Sequence, residues 1–451
     1  MKRFFVTIVA LLCLGVGAWS QSEKFSGNAR PVWSDVPEKN TGLNSIYVLY
    51  DVRGVSMSYI ASNDNVAVKW YKYGALGGGY AEEITLVSKV GTETTISQVE
   101  GNCGYIIEEG DNRTYVWVVD YSKYYLTLTT LEPSSTQDCG SVALNVVGGG
   151  SDIGYTTING ANRKLSRDIE LVYNNLEWDA DSKQWKDIEV VKCYEGFKPT
   201  IYEMAPLCNT SFMLRGDRFL RFWGEDISVT YDGCVAHSID VQTEVTQTDR
   251  DASNEKKDGD RGALGGSAPV DITFTAYPTD AVAQREWQVS NESEFNSVER
   301  IYNEDVFQEI LTETGTFFYR YVCRNADGSC EVISETYMVT VGESSLICPN
   351  AFSPEGTPGV NDEWKVQYKS IVSFKCCIFN RWGIQICELN NPSQGWDGKY
   401  KGKYVGPGVY YYVIQAKGAD GKEYKLKGDI NIIKYKESEI NSGNSGEGVL
   451  M

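Results

Sequence analysis

Gly406-Pro407-Gly408-Val409-Tyr410-Tyr411-Tyr412-Val413-Ile414 is the stretch on which the fold turns. Its Gly-Pro-Gly opening disfavours a helix, because proline lacks an N–H and glycine loses the most backbone entropy on ordering. The residues that follow are β-branched or aromatic, which suits a pleated surface. The stretch therefore reads as a strand with apolar groups on both faces. Asp420-Gly421-Lys422 reads as the next hairpin turn, and Leu426 to Lys434 as the closing strand.

The same texture extends upstream. Helical periodicity is nearly absent, and short runs rich in Val, Ile, Thr, Tyr and Trp alternate with Gly, Asn and Asp clusters. The expectation is an all-β chain of tandem immunoglobulin-like β-sandwich domains. A first domain, 21–137, contains Ile46–Tyr50, Val66–Tyr71, Tyr115–Val119 and Tyr124–Leu131 as strands. A second β domain, 138–242, shows a hairpin around Asp179-Ala180-Asp181-Ser182-Lys183. It shows another, Ser211–Leu214 with Arg218–Trp223, around Gly216-Asp217. Residues 243–268 are charged and short of apolar anchors, so they read as a flexible linker, open to proteases at Arg250, Lys256, Lys257 or Arg261. A third sandwich, 269–342, is built on Ile272–Tyr277, Trp287, Gly315–Val322 and Val332–Val341. It resembles bacterial immunoglobulin-like and polycystic-kidney-disease-type repeats, whose late strand opens Gly-x-Phe or Gly-x-Tyr.

Residues 1–20 read as a signal peptide: Lys2 and Arg3, an apolar run Phe4–Val16, and the small-x-small site Ala18-Trp19-Ser20. The run is too short to span a bilayer. Against 42 Lys and Arg stand 61 Asp and Glu, a net charge of −19, which argues against nucleic-acid binding and polybasic membrane docking. Eleven cysteines follow the signal, an odd number, and an oxidising compartment makes disulfides the default. Cys323 and Cys330 flank the turn Asn325-Ala326-Asp327-Gly328 and could face each other across a hairpin.

The C-terminal region, 347–435, carries unusual punctuation. Pro349-Asn350-Ala351-Phe352-Ser353-Pro354 precedes Asn361-Asp362. Phe379-Asn380-Arg381-Trp382-Gly383, Gly395-Trp396-Asp397-Gly398 and Gly408-x-Tyr410-x-Tyr412 follow, with Gly428 in the last strand. Trp382 and Trp396 are expected to cap the small core, each needing an N–H partner. This ordered set resembles the gliding-motility-associated C-terminal domain, the type B sorting domain of the type IX secretion system. The resemblance implies export through the periplasm to the cell surface or medium, with the outer-membrane translocon as partner. Glu355, Thr357 and Pro358 depart from the family's loop, and the tail 436–451 extends past its usual end.

Catalytic constellations are scarce. His237 is the sole histidine, in a stretch that reads as strand, and no Gly-x-Ser-x-Gly elbow or phosphate loop occurs. No cofactor or metal site is expected, since the Asp-rich stretches lack a full calcium loop. Arg215-Gly216-Asp217 reads as turn chemistry before it reads as an integrin motif. The expectation is a non-catalytic exported protein with binding, adhesive or structural repeats, its further partner a surface glycan or a host or matrix protein. Two alternatives stand beside it: a regulator whose C-terminal domain signals to envelope machinery, and a glycan-directed enzyme with its site in 138–242.

Overall fold

The computed structural model describes residues 23–134, 138–256, 263–354, 359 and 361–433. The signal peptide at 1–20, the tail 436–451 and the loop positions Glu355, Thr357 and Pro358 lie outside the described residues. The chain divides into two compact units: residues 1–175 with 187–235, and residues 176–186 with 236–451. Among the described residues strands dominate, and Arg218–Phe222 is the single α-helix. The all-β expectation holds.

The first unit opens with a sandwich. One sheet has the order Glu23–Ser26, Ser56–Ile60, Glu93–Ile96, Val87–Val90. The other runs Trp33–Asp35, Ser45–Leu49, Asn112–Asp120, Cys103–Glu109, Val68–Tyr73, Glu82–Glu83. Alternation sends Tyr47, Leu49, Met57, Trp70, Tyr105, Ile107, Val116 and Val118 into the space between them. Trp70 is fully buried, and its Nε1 donates to Thr94 Oγ1 at 3.1 Å, as a buried indole requires.

A second sandwich follows, and it begins earlier than composition suggests. Thr127–Pro133 pairs with Ser141–Gly149, so it belongs to this sandwich and not to the first domain. The hairpin Ile169–Asp179 with Gln184–Tyr194 forms as expected, beside Thr210–Arg215 and Ser228–Cys234. The other expected hairpin does not. Arg218–Phe222 is a helical turn, because Asp217 caps it by accepting the Leu220 N–H at 3.0 Å, and Phe219 and Leu220 are buried. Asp217 is wholly buried, takes a 2.9 Å hydrogen bond from Tyr121 Oη and pairs with the buried Arg167 at 3.4 Å. Burial raises its carboxyl above the usual range, against the pull of the capping amides and Arg167. In the Arg215-Gly216-Asp217 tripeptide the aspartate is thus interior scaffolding, while the half-buried Arg215 is tied to Glu170.

In the second unit, Val241–Gln247, Val270–Pro278 and Val306–Leu311 form one sheet of the third sandwich. Leu264–Gly266, Tyr337–Val341, Gly315–Arg324, Gln284–Ser290 and Arg300–Tyr302 run in order through the other. Trp287 is fully buried among Phe274, Phe307 and Tyr321. Two consequences correct the expectations. Residues 243–247 and 264–266 of the supposed linker are sheet strands, and residues 250–256 are held by hydrogen bonds; residues 257–262 lie outside the described residues. The Cys323–Cys330 bridge is also not formed. Val332, not Cys330, stands opposite Cys323. Cys323 is a free buried thiol donating to the Val332 carbonyl, while Cys330 is disulfide-bonded elsewhere and closes the loop on Asn325. His237 lies in a connection and not in a strand, with Nε2 3.0 Å from Ser329 Oγ.

The last sandwich has a five-stranded sheet in the order Ala351–Phe352, Glu423–Ile432, Gly408–Gly418, Ile371–Phe379, Gln385–Leu389. The pair Ser345–Ile347 with Gln367–Lys369 and the Lys399–Tyr400 with Lys403–Tyr404 hairpin complete it. Its core includes Phe352, Trp364, Ile378, Trp396, Ile414 and Ile430.

Candidate functional site

The punctuated residues of the C-terminal sandwich divide into an inward and an outward set. The inward set begins at Pro349, whose carbonyl accepts Trp364 Nε1 at 2.7 Å. Asn350 offers its carbonyl to the Asn431 backbone at 2.9 Å and to its side chain at 3.1 Å. These bonds place Ala351 and Phe352 as a short parallel strand against Asn431 and Ile432. Phe352 is buried against Trp396, ring centroids 5.4 Å apart. Asn361 accepts the Ser353 N–H at 2.9 Å from a left-handed backbone, φ 54°, and Asp362 takes the Gly359 N–H, so the pair closes the loop after Pro354.

Trp396 is 2% exposed and Trp364 0%. Their backbones exchange hydrogen bonds of 2.9 and 3.0 Å, which fixes both rings inward. Trp364 was not singled out by sequence, although Trp364, Val366 and Tyr368 alternate as an inward row should. Trp396 Nε1 donates to the Lys399 carbonyl at 3.0 Å, and Trp396 packs edge-on against Tyr410. The glycines around Trp396 have steric work. A Cβ on Gly395 would meet Glu363 and Lys365, and one on Gly398, φ 77°, would meet Pro354 at 2.9 Å. Asp397 is partly buried, which raises its carboxyl. The ammonium and amide of Lys399, at 2.9 and 3.0 Å, outweigh this and hold it below the usual range.

Gly408 opens the long strand, and Tyr410 Oη donates to the Gly406 carbonyl at 2.8 Å. Tyr412 stands opposite Gly428, and its ring lies across that glycine: a Cβ there would sit 2.6 Å from Tyr412 Oη. The other side of Tyr412 meets Trp364 at 5.3 Å.

The outward set is smaller. Phe379 ends its strand opposite Tyr411 and Gln385. Asn380 then closes a tight turn by accepting the Trp382 and Ile384 N–H groups, each at 3.0 Å, with Gly383 at φ 78°. This turns Trp382 outward. It is 70% exposed, with the Arg381 guanidinium 4.3 Å from its ring centroid. Trp382 therefore does not cap the core; Trp364 occupies that role. Ile384, Val409, Tyr411 and Val413 are also exposed. Val409, Tyr411 and Val413 alternate along one face of the sheet.

Known proteins align with two parts of the chain. The CHU_C type IX secretion signal domain matches residues 346–432, and a fibronectin type III domain matches residues 131–231. No curated protein matches. Among solved structures, a tetra-tandem repeat in the extending region of a large adhesion protein is similar at 8% identity. That match covers 85% of this chain and 96% of the other, with a TM-score of 0.22. Dimeric latent PorU from Porphyromonas gingivalis is similar at 9% identity over 72% of this chain and 36% of its own, TM-score 0.15. The I9–I11 tandem of titin is similar at 9% identity over 63% and 91%, TM-score 0.15. The C-terminal sandwich is a type IX secretion signal, and the chain is exported to the cell surface or the extracellular space.

Proposed function

We propose that the sandwiches upstream of residue 346 are the exported cargo, acting outside the cell as non-catalytic binding or structural modules. The C-terminal sandwich presents the exposed Arg381-Trp382 turn to the secretion machinery. One observation carries this reading: the secretion-signal domain buries Phe352, Trp364 and Trp396 but leaves Trp382 exposed. Burying an indole stabilises a fold by several kcal/mol, so a signature tryptophan left in water serves a purpose other than packing. Upstream, the large aromatics Trp70, Trp287 and Phe274 are consumed by sandwich cores, and Asp217 by a helix cap. This supports modules that contribute surfaces, not a reaction centre.

The test is delivery in a bacterium that runs type IX secretion. Full-length protein is expected at the surface or in the medium, and a chain ending at residue 345 is expected to stay in the periplasm. Surface delivery of the shortened chain would remove the reading.

A further inference from the structure

Residues Arg250–Lys256 hold four charged side chains in seven, and yet Asn254 and Lys256 hydrogen-bond to the C-terminal sandwich. The Tyr368 N–H donates to the Asn254 carbonyl at 3.1 Å, and the Lys256 N–H donates to the Tyr368 carbonyl at 2.8 Å. Glu255 and Tyr368 thus form a parallel bridge along the edge of Gln367–Lys369. The Asn254 Nδ2 group donates to the carbonyls of Val366 at 2.7 Å and Pro392 at 2.8 Å. Ala252 packs on the core of the same sandwich.

The segment is anchored from its other side too. Arg250 reaches the carboxylate of Glu255, whose side chain is 2% exposed, and donates to the carbonyls of Ser267, at 2.8 Å, and Pro269. Ser267 Oγ in turn accepts the Ser370 N–H at 2.8 Å. Ser370 Oγ accepts the Ala268 N–H at 3.1 Å and donates to Gly342 O at 2.7 Å. Ser370 is fully buried. A bare strand edge is a template for another chain, and cells use it for strand addition. Here that edge is filled from within.

We propose that the secretion signal of this chain begins at Arg250: Arg250–Lys256 is a built-in strand on the Gln367–Lys369 edge, and Asn254 is the positioning residue that seats it. The inference rests on residues 346–432 being the delivery signal. The machinery accordingly meets a domain whose edge is already taken and does not read it by adding a strand there. The segment also forms one wall of a cleft of about 710 Å³, whose other wall carries Pro349, Phe352, Asn361 and Asp362. Seating the segment therefore shapes the surroundings of the signature itself.

The test uses the full chain with Asn254→Ala, which deletes two donors, and Asn254→Asp, which turns a carboxylate toward two carbonyl oxygens. Amide exchange at Tyr368 and Lys256 is expected to rise about tenfold in the first variant and further in the second. Exchange in Gly315–Arg324 and the thermal midpoint stay put. Surface delivery falls at least about threefold, as the open fraction grows. Wild-type delivery of both variants overturns the proposal, whether or not the segment has opened, and so does rapid exchange of the Tyr368 amide in the unaltered chain. Ending the chain at residue 345 reports on the address alone, so failure of that reading is separable from failure of this one.

Discussion

Two turns of the C-terminal sandwich each carry a tryptophan ahead of a closing glycine and finish in opposite environments. Asn380-Arg381-Trp382-Gly383 holds its tryptophan in water, and Gly395-Trp396-Asp397-Gly398 holds its own in the core. The backbone makes the difference. In the first turn, the Asn380 side chain satisfies two amides locally, so nothing pulls the loop against the sheet. In the second, the amide and carbonyl of Trp396 are spent on Trp364, which carries the ring inward against Phe352 and Tyr410. Where a turn finds its hydrogen-bond partners decides whether an aromatic group becomes packing or surface.

Trp396→Ala should give the largest effect. Removing a buried indole that also donates to the Lys399 carbonyl costs about 3–5 kcal/mol, read as an earlier unfolding transition of this sandwich by denaturant titration with hydrogen exchange. An unchanged transition would break the contrast between the turns. Gly428→Ala comes next. Its new Cβ would lie 2.6 Å from Tyr412 Oη and 2.8 Å from Cζ, so the ring must leave Trp364. Overpacking of this kind costs about 1–3 kcal/mol, and Tyr412 amide exchange would report it. Trp382→Ala is the smallest in stability, within about 0.5 kcal/mol, while surface delivery falls. A destabilisation equal to that of Trp396→Ala would erase the distinction, and a stable, fully delivered variant would move the recognised surface away from this turn.

Much of this was legible from residue order. Val409–Ile414 lies inside the strand Gly408–Gly418, and Gly421 turns the expected hairpin at φ 77°, because alternation and glycine punctuation are local signals. The helix at Arg218–Phe222 was not legible: five residues are too few to show a 3.6-residue period, and Gly216-Asp217 imitates a hairpin turn when Asp217 is in fact a cap. In the signature, order identified Trp396 but misplaced Trp382, since the Asn380 bonds that expel it depend on a turn geometry that composition does not encode. Residues 250–256 failed for a different reason. Local polarity reads as solvation, whereas Arg250 and Asn254 are answered by carbonyls supplied from other parts of the chain. Cys330 fails similarly, its hairpin partner position taken by Val332.

The hydrogen bond from Asn254 to Pro392 spans 138 positions, with most of the third sandwich threaded between its ends. Contacts so distant along a polypeptide form late, after the intervening piece has collapsed and drawn the two ends together. A nascent molecule that stalls or is clipped before Pro392 never completes its label, however well its earlier beads have matured. The Arg250–Lys256 segment is therefore seated by Asn254 only after the ribosome has passed most of the last sandwich.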